Sequence, residues 1–183
     1  MTSSGAMSGS AEHDPACEVA HGAAVPVPER EKVLVAVFAT PVARFLMRYA
    51  ADAGYRAVLL EPDADRARAA KEDGAVLVGS LAEFPDGTAD VVMTDHHRPE
   101  LGVVLRDVLA AGGARWIGLM GNARHEGPHV AALTALGVPA SEIARVHRPI
   151  GLNIGSRTPP EIAISTLAGL IAERAGKPGG FAF

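Results

Sequence analysis

The chain has 183 residues, 48% hydrophobic and 21% charged, an ordinary balance for one globular domain with a sizeable core. A net charge of −4 and a pI near 6.0 lack the basic footprint that nucleic acid or an anionic membrane surface requires, so neither is expected as a partner. Cys17 is the only cysteine, which excludes an intramolecular disulfide and favours a reduced, cytoplasmic setting; no stretch reads as an export signal or a membrane span.

Residues 1–31 are rich in Ser, Gly, Ala, Pro and Glu without apolar periodicity, and read as a disordered tail. His13, Cys17 and His21 stand at four-residue spacing, but Pro15 argues against the helix that would align them, so no metal site is assigned. From Lys32 the pattern changes to alternating strands and amphipathic helices, and it predicts an α/β fold: a Rossmann-like parallel sheet with helices on both faces, in a single domain over 32–175, followed by a flexible tail over 176–183.

Residues 33–38 form the first expected strand. Thr40 and Pro41 then supply the N-cap and N1 position of a helix packed through Val42, Phe45, Leu46, Tyr49, Ala50 and Ala53 and ended by Gly54. Residues 56–60 make a second strand ending at Glu61, 63–73 a charged helix and 75–78 a third strand; Ser80 and Glu83 have capping-box spacing, and Asp86-Gly87 turns the chain. A fourth strand over 90–94, a helix over 99–111 with Leu101, Val104, Leu105 and Val108 inward, and a fifth strand over 116–120 follow. A helix over 128–136 is expected to bury Val130, Leu133 and Leu136, with a short turn over 141–145 after it. Thr158, Pro159 and Glu161 start the last helix, which runs to about Arg174.

Ligands of an open parallel sheet bind beyond the carboxyl ends of its strands, which directs attention to the loops after Phe38, Leu60, Thr94 and Met120. Ala39-Thr40-Pro41 stands where a dinucleotide fold carries G-x-G-x-x-G, and Pro41 has no N–H for a phosphate. Glu61 is placed either to accept a ribose hydroxyl pair or to sit solvated at the strand end. The run Thr94-Asp95-His96-His97 suits proton transfer, metal ligation or ligand contact, or is a plain solvent loop; without a distant third ligand no metal is assigned. Gly121, with Asn122, Arg124 and His125 beyond it, suits an anion near a helix start, or Arg124 is a plain surface charge. Gly151, Asn153 and Gly155 form a loop able to approach a ligand closely, and Arg157 beside Thr158 can clamp a phosphate or a carboxylate, or pair with Glu161. No nucleophile elbow, P-loop or zinc-type cysteine pair is present, so no catalytic residue is assigned.

The run W-I-G-L-M-G-N-A-R from Trp116, and A-R-V-H-R-P-I-G-L-N-I-G-S-R-T-P-P-E-I-A-I-S ending at Ser165, resemble the C-terminal Rossmann domain of the XdhC/CoxI family. That family carries P-I-G-L-D-I-G-x-R-T-P-E-E-I-A where this chain has Asn153 for the aspartate, V-M-T-H-D where it has Val92-Met93-Thr94-Asp95-His96, and F-G-A-G-H-V-A at the first loop. The likeness runs over roughly 33–174; the family's cysteine-bearing N-terminal domain has no counterpart here.

The resemblance implies a non-catalytic accessory factor that binds molybdenum cofactor, a pterin with or without an attached nucleotide, or helps its sulfuration, and delivers it to a hydroxylase subunit of the xanthine dehydrogenase or CO dehydrogenase type. A cysteine desulfurase is a candidate second partner, and a homodimer is left open. Two alternatives stand beside it: an oxidoreductase using NAD(P), and a degenerate Rossmann module that docks on a hydroxylase without cofactor.

Overall fold

The run VLVAV has no polar side, so it must be covered from both directions, and it forms most of β1 (Lys32–Val37) inside a five-stranded sheet. The computed structural model describes residues 19–20, 31–121 and 127–180. β2 (Tyr55–Leu60), β3 (Ala89–Met93), β4 (Ala114–Leu119) and the two-residue β5 (Val146–His147) complete the sheet in the order β2-β1-β3-β4-β5, every pairing parallel. From Glu31 onward the chain forms one compact unit.

Side-chain alternation along the strands builds two cores. Val33, Val35 and Val37 face α3 (Leu101–Ala110) and α4 (Pro128–Ala135), whose Leu105 and Leu133 are fully buried. Leu34 and Ala36 face α1 (Pro41–Asp52) and α6 (Pro159–Arg174) through Leu46, Ala50, Ala163 and Leu170. The helix α2 (Ala64–Glu72) buries no residue, while the short α5 (Ala140–Ile143) buries Ile143. Among the described residues no helix is long and apolar enough to cross a membrane.

Helix starts follow the local chemistry. The Thr40 hydroxyl accepts from the Ala43 N–H at 3.0 Å, and Glu161 accepts from the N–H groups of Arg157 and Thr158 at 2.8 and 3.0 Å. The expected Ser80/Glu83 capping box forms over a single 3-10 turn, Leu81–Glu83.

Three expectations are corrected. The third predicted strand is reduced to one bridge, Leu77 to Leu59, because Val76 lies 59% exposed at the sheet's border with no further strand to cover it. With that bridge counted, the spatial order is the doubly wound one in which the third unit lies outside the second. Val130 and Leu136 are 36% and 40% exposed; α4 turns Leu133 and His129 inward instead. β5 was missed altogether, since two residues carry no readable period.

One polar cluster ties the amino end of the sheet together. Asp90, with 0% of its side chain exposed, accepts from Arg115 Nε at 2.6 Å and from Arg174 Nε, and Arg115 also reaches Glu173 at 2.6 Å. These contacts join β3, β4 and the end of α6.

Candidate functional site at the carboxyl edge of the sheet

Register decides which residues meet at this edge. Val37 lies level with Leu60 and with Met93, and Met93 with Leu119, so Phe38, Glu61, Thr94 and Met120 are the first residues beyond the sheet in four neighbouring strands. The chain leaves β1 toward β2 on one side, while β3 lies on the other; the crevice between β1 and β3 is therefore the topological switch point.

Thr94 is the joint of that crevice. Its buried hydroxyl donates toward the carbonyls of Val37 and Phe38, both at 2.9 Å, and meets the Thr40 hydroxyl at 2.9 Å. One side chain thus fixes the ends of β1 and β3 and the N-cap of α1. With no glycine in the turn, Phe38 adopts φ +75°, a left-handed conformation that costs about 1–2 kcal/mol and is held because its ring is fully buried.

Glu61 is committed within the protein. Its Oε2 accepts from the Ala39 N–H at 2.7 Å and its Oε1 from the Asp63 N–H at 3.0 Å. Arg98 grips both oxygens at 3.2 and 3.0 Å, and its Nε turns to Glu100 at 3.1 Å. The Glu61 and Arg98 side chains are 0% and 6% exposed, and the guanidinium lies 4.7 Å from the centre of the Phe38 ring. The carboxylates of Glu100 and Glu61 hold Arg98 protonated well above its ordinary range. The two sequence readings of Glu61, ribose acceptor or solvated carboxylate, give way to a third arrangement: a buried carboxylate with four donors. Arg98 escaped notice in the sequence; its only signal was a cation between two histidines and a helix-starting proline.

On the other side of Thr94, Asp95 Oδ1 accepts from the His97 N–H at 2.8 Å, which turns the carboxylate back on its own loop. The His96 ring sits 4.0 Å from the His97 ring and is hydrogen-bonded to the backbone of Met120, linking the loops after β3 and β4. Burial, then the charges of His97 and Arg148, push the His96 pKa down. A Cβ at Gly121 would lie 2.6 Å from Arg148 Nε, so a side chain there would displace the end of the Arg148 side chain. Asn122, Arg124 and His125 lie outside the described residues, as do His13, Cys17 and His21.

His129, at the start of α4, is buried against Gly127, and burial followed by the Arg148 charge depresses its pKa. The unfolded chain therefore binds this proton more readily than the fold does. The associated stability is complete above the unfolded value of about 6.5 and is lost as pH falls through the window below it. The melting temperature of the parent is expected to drop between about pH 7 and pH 5, and His129→Gln to flatten that dependence. Identical pH profiles for the two proteins in calorimetry would contradict the assignment.

The last loop folds against α6. Leu152 exchanges hydrogen bonds with Ser165, and Gly151, at φ +87°, lies so close to Ser165 and Gly169 that no side chain fits between. Asn153, Gly155 and Arg157 are exposed, and no hydrogen bond among the described residues joins them to Thr94. Arg157 meets Glu161 through its backbone N–H; its guanidinium forms no ion pair among the described residues. The structure thus brings Ala39, Thr40, Glu61 and Thr94 together, sets His96 beside the end of β4, and leaves Asn153, Gly155 and Arg157 on an open loop before Thr158. Among the described residues no group of three or more His, Cys, Asp or Glu side chains could hold a metal ion.

Residues 34–170 match the family model described as the XdhC Rossmann domain. The uncharacterized protein YqeB of Escherichia coli strain K12 is 33% identical over 109 residues, covering 60% of this chain and 19% of that protein. A crystal structure of a xanthine dehydrogenase from Bacillus halodurans superimposes with a TM-score of 0.59 at 21% identity, over 81% of this chain and 47% of that one, a likeness of fold. The chain spans about a fifth and about half of the lengths of these two proteins.

Proposed function

Since the chain belongs to the XdhC Rossmann domain family, we propose that it is an accessory factor for a molybdenum hydroxylase of the xanthine dehydrogenase or CO dehydrogenase type, holding molybdenum cofactor for delivery. The family match over 34–170 carries this reading. The open guanidinium of Arg157 is a group that takes a phosphate and the His96 imidazole one that can meet a pterin edge, while the Thr40 and Thr94 hydroxyls, bonded within the protein, shape the crevice between β1 and β3. The cofactor, when bound, brings the redox chemistry; this chain's residues bind, orient and release it. Its partners are then a hydroxylase subunit and, for sulfuration, a cysteine desulfurase.

The nicotinamide alternative has less support. The Ala39 N–H, which would face a pyrophosphate, is given to Glu61, and the Glu61 oxygens that would take a ribose diol are filled by Arg98. The test is purification followed by molybdenum and pterin determination, with Arg157→Ala alongside. The parent is expected to carry both, and the variant to retain about a tenth of the pterin or less, the effect of losing a charge-assisted contact. Full retention by the variant removes Arg157 from the site; parent protein without pterin or molybdenum, yet copurifying with a hydroxylase, favours the cofactor-free docking module.

A further inference from the structure

A groove borders the crevice just described, with Ala39 and Thr40 in its lining. It opens between α1 and α2 with a volume of about 890 Å3, floored by Ala57 and Leu59 of β2 and walled by Ala51, Ala69, Ala70 and Met47. Its existence follows from side-chain size. Neighbouring helices on a sheet ordinarily close by interdigitating large residues, but here the facing stripe of α2 is alanine, and that helix buries nothing. The resulting volume lies in the range of small-molecule sites, which run from about 300 to 1,000 Å3.

The rim is basic. Arg44 and Arg48 from α1 and Arg66 from α2 are exposed along it, and none forms an ion pair among the described residues. Asp73, beyond the far end of α2, is the single acid in the lining. Three guanidiniums against one carboxylate leave a net charge of two, which a phosphomonoester complements, with its charge of about −1.5 to −2 at neutral pH. Arg44 and Arg66 both stand in the opening turns of their helices, so these two cations stand at the end of the groove nearest Thr40, with Arg48 one turn further along α1. One N–H at each helix start is already taken, that of Ala43 by Thr40 and that of Arg66 by Asp63, and Pro41 has none, so the rim side chains are the main holders of the anion.

We propose that this groove binds an organic phosphomonoester with a flat apolar body, the phosphate taken by the rim arginines and the body lying on the alanine floor. The proposal calls on Arg44, Arg66 and an alanine lining that the molybdenum reading does not use, and it needs no metal, although Ala39 and Thr40 border both sites. The test is a fluorescence titration of the full chain with flavin mononucleotide, a probe that unites a planar ring and a phosphomonoester, with riboflavin and inorganic phosphate as the two separate parts. Flavin mononucleotide is expected to bind at least tenfold more tightly than either part. Arg44→Gln with Arg66→Gln should lose at least tenfold in affinity for it. Ala70→Leu, which fills the groove from its wall and keeps the charge, should lose as much, with melting curves to show that both variants are folded. Equal binding of riboflavin, equal binding by the folded arginine variant, or no binding of flavin mononucleotide at millimolar concentration would each overturn the assignment. None of these outcomes touches pterin retention, which is read on another sample and another variant.

Discussion

Arg98→Ala is expected to lower the stability of the domain by about 3 kcal/mol, a fall in melting temperature of about 6–12 °C for a chain of this size. The magnitude follows from what is left behind. Glu61, with no exposed side-chain surface, would keep its two backbone donors but lose the one cation that balances its charge in a site closed to water. Arg98→Lys is not expected to rescue it. An ammonium is a compact charge, whereas the guanidinium spreads its donors over both oxygens of Glu61 and over Glu100. Pairing Arg98→Met with Glu61→Gln should recover much of the loss, because the charge disappears with its partner and the amide oxygen still serves one of the two N–H groups. Thermal melts of the three variants check the account. A single Arg98→Ala variant as stable as the parent would mean that the pair contributes nothing.

Asp90→Ala is the second large effect, at about 2–3 kcal/mol or about 4–12 °C in melting temperature. The mechanism is similar, but the orphaned groups differ. The Arg115 and Arg174 side chains retain 27% and 24% exposure, so water can recover part of their solvation, and Arg115 keeps Glu173. Asp90→Asn, which preserves shape and one acceptor, should lose less. Asp90 lies near the amino end of β3, level with Leu34 on β1, so the variant should keep its ligand retention below its melting temperature. Loss of stability together with loss of bound pterin from Asp90→Asn would show that the two ends of the sheet are coupled.

These two ion pairs also mark where sequence reading stopped. The chemistry of helix starts is local, and Thr40, Ser80 and Glu161 all cap as their spacing implies, because N-cap and backbone donor are three residues apart. The boundary of α4 was equally legible, but its buried face was not. Val130 and Leu136 are apolar and at helical spacing, yet the neighbouring elements cover the side with Leu133 and His129. A helix with apolar residues on several sides does not announce which of them meets the core.

The order of apolar runs, caps and turns along this chain sufficed to determine an α/β sheet with a central buried β1 and a polar carboxyl edge, since periodicity and capping act over a few residues. Only the tertiary structure decided that Glu61 faces Arg98 rather than a ligand, and that α2 stands off from α1 to leave a basic groove. Both depend on partners 22 to 37 residues away in sequence, brought level by strand register and by the volume of the side chains between helices, neither of which a linear pattern encodes.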